Sequence, residues 1–282
     1  MKRFRQIVIM PLAFAGGGAL LIIAFVIFTQ DLRIFPGVLS TRLRQPASPP
    51  PGSTTLTATT ADGETLAVWR AEAVGEKRPE RIILFNGNAQ SLPSSVVEQR
   101  WLAELGFTNF AFDYRGFGSS TGFPSEQGIY SDAEAVFDLV VKNESIKPRD
   151  VVVFGRSIGT GPASFIAQQR GVSTLVLISP YTSVPDIVRE RPLFRFLTPF
   201  LWYEFPTHRY LAEMKETCVV LAHGKRDTII SYAHSEQLQA RYHGNHPLAF
   251  ISSAQAGHND ILNLERERIS EALLTCVSRA RT

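Results

Sequence analysis

Cysteine is scarce in this chain of 282 residues, occurring only as Cys218 and Cys276. Two thiols cannot frame a disulfide-built miniprotein or supply a four-cysteine zinc site. No HExxH, no Cys-x-x-Cys and no P-loop occurs, so neither a metal nor any other cofactor is expected. No concentration of positive charge marks the body of the chain. The net charge is +3, but Lys2, Arg3 and Arg5 precede the first acidic residue, Asp31, and the remaining 26 basic residues balance 26 acidic ones. No nucleic-acid partner is expected, because such a binder needs a basic face. No repeat with a period of roughly 20–50 residues is visible, which excludes solenoids and propellers. With 44% hydrophobic and 20% charged residues, the composition is that of a globular protein.

Charge is also missing locally. From Gln6 to Gln30 no residue is charged, and the apolar stretch 7–28 holds 22 residues, LLIIAFVIF among them. A helix of that length, at ~1.5 Å per residue, spans a hydrocarbon core of ~30 Å. Pro11 and the run Gly16, Gly17, Gly18 would weaken a helix in water but are tolerated in membranes. The stretch exceeds the roughly 7–15 apolar residues of a signal peptide, and no A-x-A site follows. The expectation is an uncleaved transmembrane anchor over 1–35, a cleaved signal peptide being the alternative. The basic N-terminus implies a cytoplasmic N-terminus and a body in the periplasm or lumen, although Arg33, Arg42 and Arg44 weigh against that orientation. Residues 36–53 include Pro49, Pro50 and Pro51 and read as a stiff spacer. Residues 54–282 then form a single α/β domain.

Within that domain, residues 54–60 and 64–70 read as a hairpin turned by Asp62-Gly63. Apolar runs at 81–85, 109–112, 151–154, 174–178, 218–222 and 248–251 read as strands. Helices are expected at 94–105, 125–142, 158–169, 231–242 and 260–279. On the first, Val97, Trp101, Leu102 and Leu105 form the buried stripe; on the second, Ser131, Asp132 and Glu134 face water. Strands alternating with helices indicate a mostly parallel sheet covered on both faces. Residues 180–216 break the rhythm and hold no convincing strand.

The strand at 151–154 runs straight into Gly155-Arg156-Ser157-Ile158-Gly159. A G-x-S-x-G pattern between strand and helix puts the serine on a tight, strained turn with its hydroxyl exposed, and the glycines avoid collisions there. Ser157 is therefore the candidate nucleophile, and the N–H of Ile158 the first candidate donor to an oxyanion. Gly118-Ser119-Ser120-Thr121-Gly122 matches the same pattern, but it follows no apolar strand and precedes Phe123-Pro124, as a loop would.

A serine nucleophile needs a base. His208, His243 and His246 lie in irregular polar surroundings, His234 falls inside a helix, and His223 ends a strand and is assigned to turn support. His258 follows the last strand and precedes the last helix, at the same sheet edge as Ser157 if the strands are parallel. Asp227, after the strand at 218–222, is the candidate partner of the imidazole. Asp260 is expected to cap the last helix, and Asp186 lies in the insert. The loop Phe85-Asn86-Gly87-Asn88-Ala89 offers the N–H of Asn88 as the second oxyanion donor.

These motifs resemble the α/β-hydrolase superfamily, and within it the membrane-tethered α/β-hydrolase-domain proteins that include protein depalmitoylases. NGNAQ at 86–90, DYRGFGSSTGFPSEQGIYSDAEA at 113–135, GRSIGTGPA at 155–163, HGKRD at 223–227 and GHND at 257–260 occur in the family's order, with Ser, Asp and His following one another as in that fold. The resemblance implies an α/β-hydrolase fold with an eight-stranded, mostly parallel sheet, Ser157, Asp227 and His258 as the triad, and oxyanion donors near Asn88 and Ile158. Asn86 stands where the family has histidine. The expected activity is cleavage of ester or thioester bonds in a small-molecule or lipid-like acyl substrate through an acyl-enzyme. A serine peptidase or amidase on the same triad, or a non-catalytic binding module, are the alternatives.

In such a fold the insert near 180–216 is a cap, and Phe194, Phe196, Phe200, Trp202, Tyr203 and Phe205 could line an acyl pocket or simply pack. Arg191 and Arg195 are expected to be solvated. Cys218 and Cys276 fall at the bottom edge of the sheet; two buried free thiols are the expected state, a disulfide the alternative in an oxidising compartment.

Overall fold

The computed structural model describes residues 23–42, 48–50, 52–88 and 90–280. Most of the apolar stretch 7–28, and with it the expected transmembrane helix, lies outside the described residues. Among the described residues no helix is long and apolar enough to cross a membrane.

The apolar runs pair into one eight-stranded sheet of order β1-β2-β4-β3-β5-β6-β7-β8. The strands are β1 Ser53–Thr59, β2 Thr65–Ala71, β3 Arg81–Phe85, β4 Thr108–Phe112, β5 Val151–Arg156, β6 Thr174–Ile178, β7 Cys218–Gly224 and β8 Leu248–Ser253. β2 runs antiparallel to β1 and β4; every other pairing is parallel. The central strands read as unbroken apolar runs because alternate side chains enter two different cores. Ile83, Phe85, Val151, Val153, Leu175, Leu177, Val219 and Leu221 pack on one face, and Ile82, Leu84, Val152, Phe154, Val176, Ile178, Val220 and Ala222 on the other. The chain order reverses beside β3 and β5, and it is there that the C-terminal strand ends open a crevice for a site.

The helices that matter for the site are α1 Gln30–Ile34, α2 Gly37–Arg42, α3 Val96–Glu104, α4 Glu126–Glu144, α5 Thr160–Arg170, α6 Val184–Arg189, α7 Thr207–Glu213, α8 Ala233–Arg241, α9 Ile261–Leu264 and α10 Arg266–Arg279; residues 23–28 are also helical. Ser125 caps α4 by accepting from the Gly128 N–H. On α3, Trp101 and Leu102 are buried, but Val97, in the first turn of the helix after a short 3-10 turn at Leu92–Ser95, is exposed. On α4, Asp132 is not on the wet side. It is fully buried and accepts from the Arg115 backbone N–H (2.8 Å) and Nε (2.7 Å), and Arg115 also pairs with Asp62. The DYRG segment supplies the cation that allows a carboxylate there.

Two further expectations are corrected. The cysteines are not free thiols: Cys218 on β7 and Cys276 on α10 form a disulfide, with Cα atoms 5.5 Å apart and a sequence separation of 58. Closing a loop of that length is worth about 4 kcal/mol in the chain-entropy account. The stretch assigned to a spacer from residue 36 is not free over its first part. α1 and α2 lie on the domain, Phe35 between them is buried in the core, and Thr41 Oγ1 accepts from the Gly118 N–H at 3.1 Å.

Candidate active site

β5 ends in the turn that carries Ser157. Ser157 has φ of +52°, a left-handed backbone that costs a non-glycine residue about 1–3 kcal/mol. The two glycines make the turn possible. A Cβ on Gly155 would lie 2.6 Å from the Ala163 Cβ, and one on Gly159 would lie 2.3 Å from the Phe85 carbonyl oxygen. The result is a half-buried hydroxyl at the C-terminal edge of the sheet, in front of α5.

Three loops at that edge converge on it. His258 Nε2 is 2.9 Å from Ser157 Oγ, and His258 Nδ1 is 2.7 Å from Asp227 Oδ2. An ionised carboxylate only accepts, so Nδ1 carries the imidazole proton and Nε2 accepts from the serine hydroxyl. Ser157, Asp227 and His258 thus stand in one hydrogen-bonded line, although 101 residues separate the first from the last.

The carboxylate is held from every side. Asp227 Oδ1 accepts from the Ile229 and Ile230 N–H groups at 2.8 and 2.9 Å. Oδ2 accepts from His258 and, at 3.1 Å, from His223 Nε2. His223 Nε2 also faces the Ile230 carbonyl at 3.2 Å; both partners only accept, so Nε2 carries the proton and Nδ1, 2.6 Å from Ser235 Oγ, accepts. Burial alone would raise the Asp227 pKa. The hydrogen bonds from His223 and His258 and the Ile230 N–H outweigh it and hold the carboxyl below the usual carboxylate range. His223 is therefore more than a turn support. Its signal in the sequence is the His-Gly-x-x-Asp spacing at 223–227, which folds the imidazole back onto the carboxylate.

Arg156, between the elbow glycine and the nucleophile, is a second residue missed in the sequence. It pairs with Glu98 at 2.9 Å and donates to the Asn259 carbonyl at 3.1 Å, tying β5 to the loop that carries His258. The oxyanion candidates flank the nucleophile. Ile158 follows Ser157 directly, and a Cβ on Gly87, next to Asn88, would lie 3.4 Å from the Ser157 Cβ. The loop is braced by Gln90 Oε1, which accepts from the Gly87 N–H at 2.7 Å, and by Asn88 Nδ2, which donates to the Ile34 carbonyl at 2.5 Å. Asn86 bonds Ser95 Oγ at 2.9 Å.

The competing residues have other partners. Ser120 is buried, donates to the Asp113 carbonyl at 2.7 Å and accepts from the Ala67 N–H at 3.0 Å, so the second G-x-S-x-G is a loop brace. His234 is buried against Thr182, and His208, on α7 rather than in irregular chain, faces the Thr182 carbonyl at 2.8 Å. Asp186 accepts from Thr182 and Ser183, both at 2.7 Å. Asp260 precedes α9 but does not cap it; its Oδ1 turns back to accept from the Gly257 N–H at 2.6 Å, shaping the His258 loop. Arg191 is exposed and donates to the Ile229 carbonyl at 3.1 Å. The cap aromatics divide: Tyr203 and Phe205 are buried, whereas Phe194, Phe196, Phe200 and Trp202 are exposed. Next to Ser157 lies a constricted cavity of about 10 Å³, room for about one water, walled by Phe35, Gly87, Tyr114, Phe117, Ile129, Ile158, Pro162 and Phe205.

A parallel sheet with a strained serine after its fifth strand, facing an imidazole at the same edge, defines the α/β-hydrolase class of serine hydrolases. The chain belongs to the family described as serine aminopeptidase, S33, whose model matches residues 78–218. That match includes Ser157 but stops before Asp227 and His258. A Mycobacterium tuberculosis protein is 30% identical over 201 residues, covering 71% of this chain and 70% of its own. The Xenopus laevis alpha/beta hydrolase domain-containing protein 17B is 30% identical over 157 residues, covering 54% of this chain and 50% of its own. A Pyrococcus furiosus esterase superposes with a TM-score of 0.66 at 20% identity, covering 82% of this chain and 91% of its own, a likeness of fold.

An acid held low by folding contributes stability that is present above its unfolded pKa of about 3.9 and lost as pH falls through the folded value. Replacing His223 by leucine removes one of the donors that hold Asp227 low. In His223→Leu the acid loss of stability, which begins near the unfolded pKa in both proteins, is expected to be smaller and to level off at higher pH than in the wild type. Urea midpoints across roughly pH 3 to 7 check this; superimposable acid limbs would contradict it.

Proposed function

We propose that this protein is a membrane-anchored serine hydrolase that cleaves carboxylic ester or thioester bonds through an acyl-enzyme. The observation that carries the reading is the line of hydrogen bonds Ser157–His258–Asp227 at the ends of β5, β7 and β8, on one edge of the sheet. Ser157 Oγ bonds to the substrate's carbonyl carbon while its proton passes to His258 Nε2. Asp227, still ionised, balances the imidazolium. The carbonyl oxygen becomes an oxyanion that accepts from the Ile158 and Asn88 N–H groups, each worth roughly 2.7–4 kcal/mol of barrier. Collapse breaks the bond to the alcohol or thiol, which leaves with the proton from Nε2. Water then repeats the sequence, releasing the acid and restoring the serine.

The family's description favours a second reading, an aminopeptidase on the same residues. An aminopeptidase must bind a free ammonium, and burying one without a carboxylate is costly. Among the described residues walling the cavity beside Ser157 there is no acid, which favours an acyl group over an ammonium there.

The membrane anchor rests on the uncharged stretch 7–28. The exposed apolar side chains near the cap accord with it: Phe28, on the helical stretch that continues this run, meets Trp202 of the insert edge-on at 6.3 Å, and both are exposed. The disulfide accords with a body outside the cytoplasm, where thiols oxidise.

Ser157→Ala and His258→Ala are each expected to lower kcat for p-nitrophenyl esters by about 10⁴-fold or more, with the circular dichroism spectrum unchanged. Turnover near the wild-type level in either variant would contradict the assigned nucleophile or base. In cells, the protein is expected in the carbonate-resistant membrane pellet, with both cysteines blocked to maleimide until reduced. A soluble protein with freely alkylated cysteines would contradict the anchor and the location.

A further inference from the structure

The residues just before the first strand reach both the cap and the site. Gln30 Nε2 donates to the Phe200 carbonyl and its Oε1 accepts from the Trp202 N–H, both at 2.9 Å, while Asp31 accepts from the Tyr203 hydroxyl at 2.5 Å. These bonds latch α1 to the cap. The Ile34 carbonyl accepts from Asn88, in the loop proposed to hold the oxyanion. Phe35, next in sequence, is 2% exposed and meets Tyr203, Phe205 and Phe117 edge-on, with ring centroids 5.3, 6.4 and 6.4 Å away.

Phe35 is also a wall of the cavity that Gly87 and Ile158 border at the nucleophile. The preceding residue, Ile34, lines a different space: an apolar groove of about 190 Å³ between the N-terminal helical residues and the cap, with Ile27, Val188, Phe194 and Leu201 among its walls. One turn of chain thus borders both spaces. The inner cavity is narrow, and its neighbours Tyr114, Phe117 and Phe205 are themselves buried and close-packed, so they have little freedom to withdraw.

We propose that Phe35 is the specificity-determining residue of this site: its ring closes the inner cavity and limits the wild-type enzyme to short, unbranched acyl groups, and its removal opens the cavity toward the apolar groove. The segment 30–41 is then a working part of the substrate site as well as the connection to the anchor. This rests on the serine-hydrolase reading above. A straight hydrocarbon chain suits a cavity whose walls are apolar side chains and aromatic rings, and one methylene beyond what a rigid pocket holds is discriminated by about tenfold or more.

The test uses the full chain in detergent micelles and a series of p-nitrophenyl esters from acetate to dodecanoate. The readout is the ratio of kcat/KM for dodecanoate to that for butyrate, which is internal to each sample and so unaffected by partial loss of folded protein. The wild type is expected to fall steeply with chain length. Phe35→Ala is expected to raise the ratio by about tenfold or more, and Phe35→Leu by less. Should the alanine variant fail to fold, the leucine variant carries the test. Chain-length profiles that stay unmoved in whichever of the two variants is active would overturn the assignment of Phe35 and leave the hydrolase reading standing. A wild type inactive on every ester would overturn that reading and this inference with it.

Discussion

The architecture at the sheet edge depends on one backbone torsion. Ser157 sits at φ of +52°, where an L-residue is strained, and the chain holds it there by having no side chain at 155 or 159. Gly155 lets Ala163 of α5 come down onto the strand, and Gly159 lets the helix start against the carbonyl of Phe85 on the neighbouring strand. The turn therefore ties β3, β5 and α5 together at the point where the hydroxyl emerges. A side chain at either glycine would push the helix off the sheet, moving Ser157 away from His258. Strain of this kind persists only where surrounding packing over-determines it, and here β5 is buried along its length.

The second constraint is electrostatic. Asp227 is a fully buried carboxylate beside two histidines, and such a charge is tolerable only when its lone pairs are filled. Two backbone N–H groups and two imidazoles do this, and the same bonds fix His258 in the tautomer that leaves Nε2 open to the serine. Ser235 behind His223 fixes that ring in turn. On the other side of the nucleophile, Arg156 and Glu98 hold the His258 loop by its Asn259 carbonyl. The geometry at Ser157 is thus the product of contacts from β5, β7, α3 and the loop after β8, so that a change in any one of them is transmitted to the hydroxyl.

Much of this was legible in the sequence, for reasons that are local. β3 and β6 have the limits expected of them, because after a polar first residue, Arg81 or Thr174, a strand covered on both faces reads as a continuous apolar run. Ser157 could be told from Ser120 because VVVF precedes one and no apolar strand directly precedes the other. Asp227 and His258 were legible from their places just after apolar runs. What was not legible depends on contacts distant in sequence. Asp132 looks like a solvated helix residue until Arg115 is brought to it. Val97 fits the buried stripe by its spacing from Trp101, but at the first turn of the helix it is exposed. The pairing of Cys218 with Cys276 needs the last helix to return along the sheet. Phe35 falls at the end of the segment assigned to the anchor, and only the fold sets it between Phe117 and Phe205. His223 was legible only in part: its strand-end position was visible, its approach to Asp227 was not.

The proposed reaction requires Ser157 Oγ to be the atom that forms the covalent intermediate. The most direct measurement is to react the folded protein with a fluorophosphonate and locate the adduct by peptide mass spectrometry. The account predicts a single stoichiometric phosphonyl group on Ser157. An adduct on Ser120 or another residue, or no adduct on a well-folded sample, would contradict it.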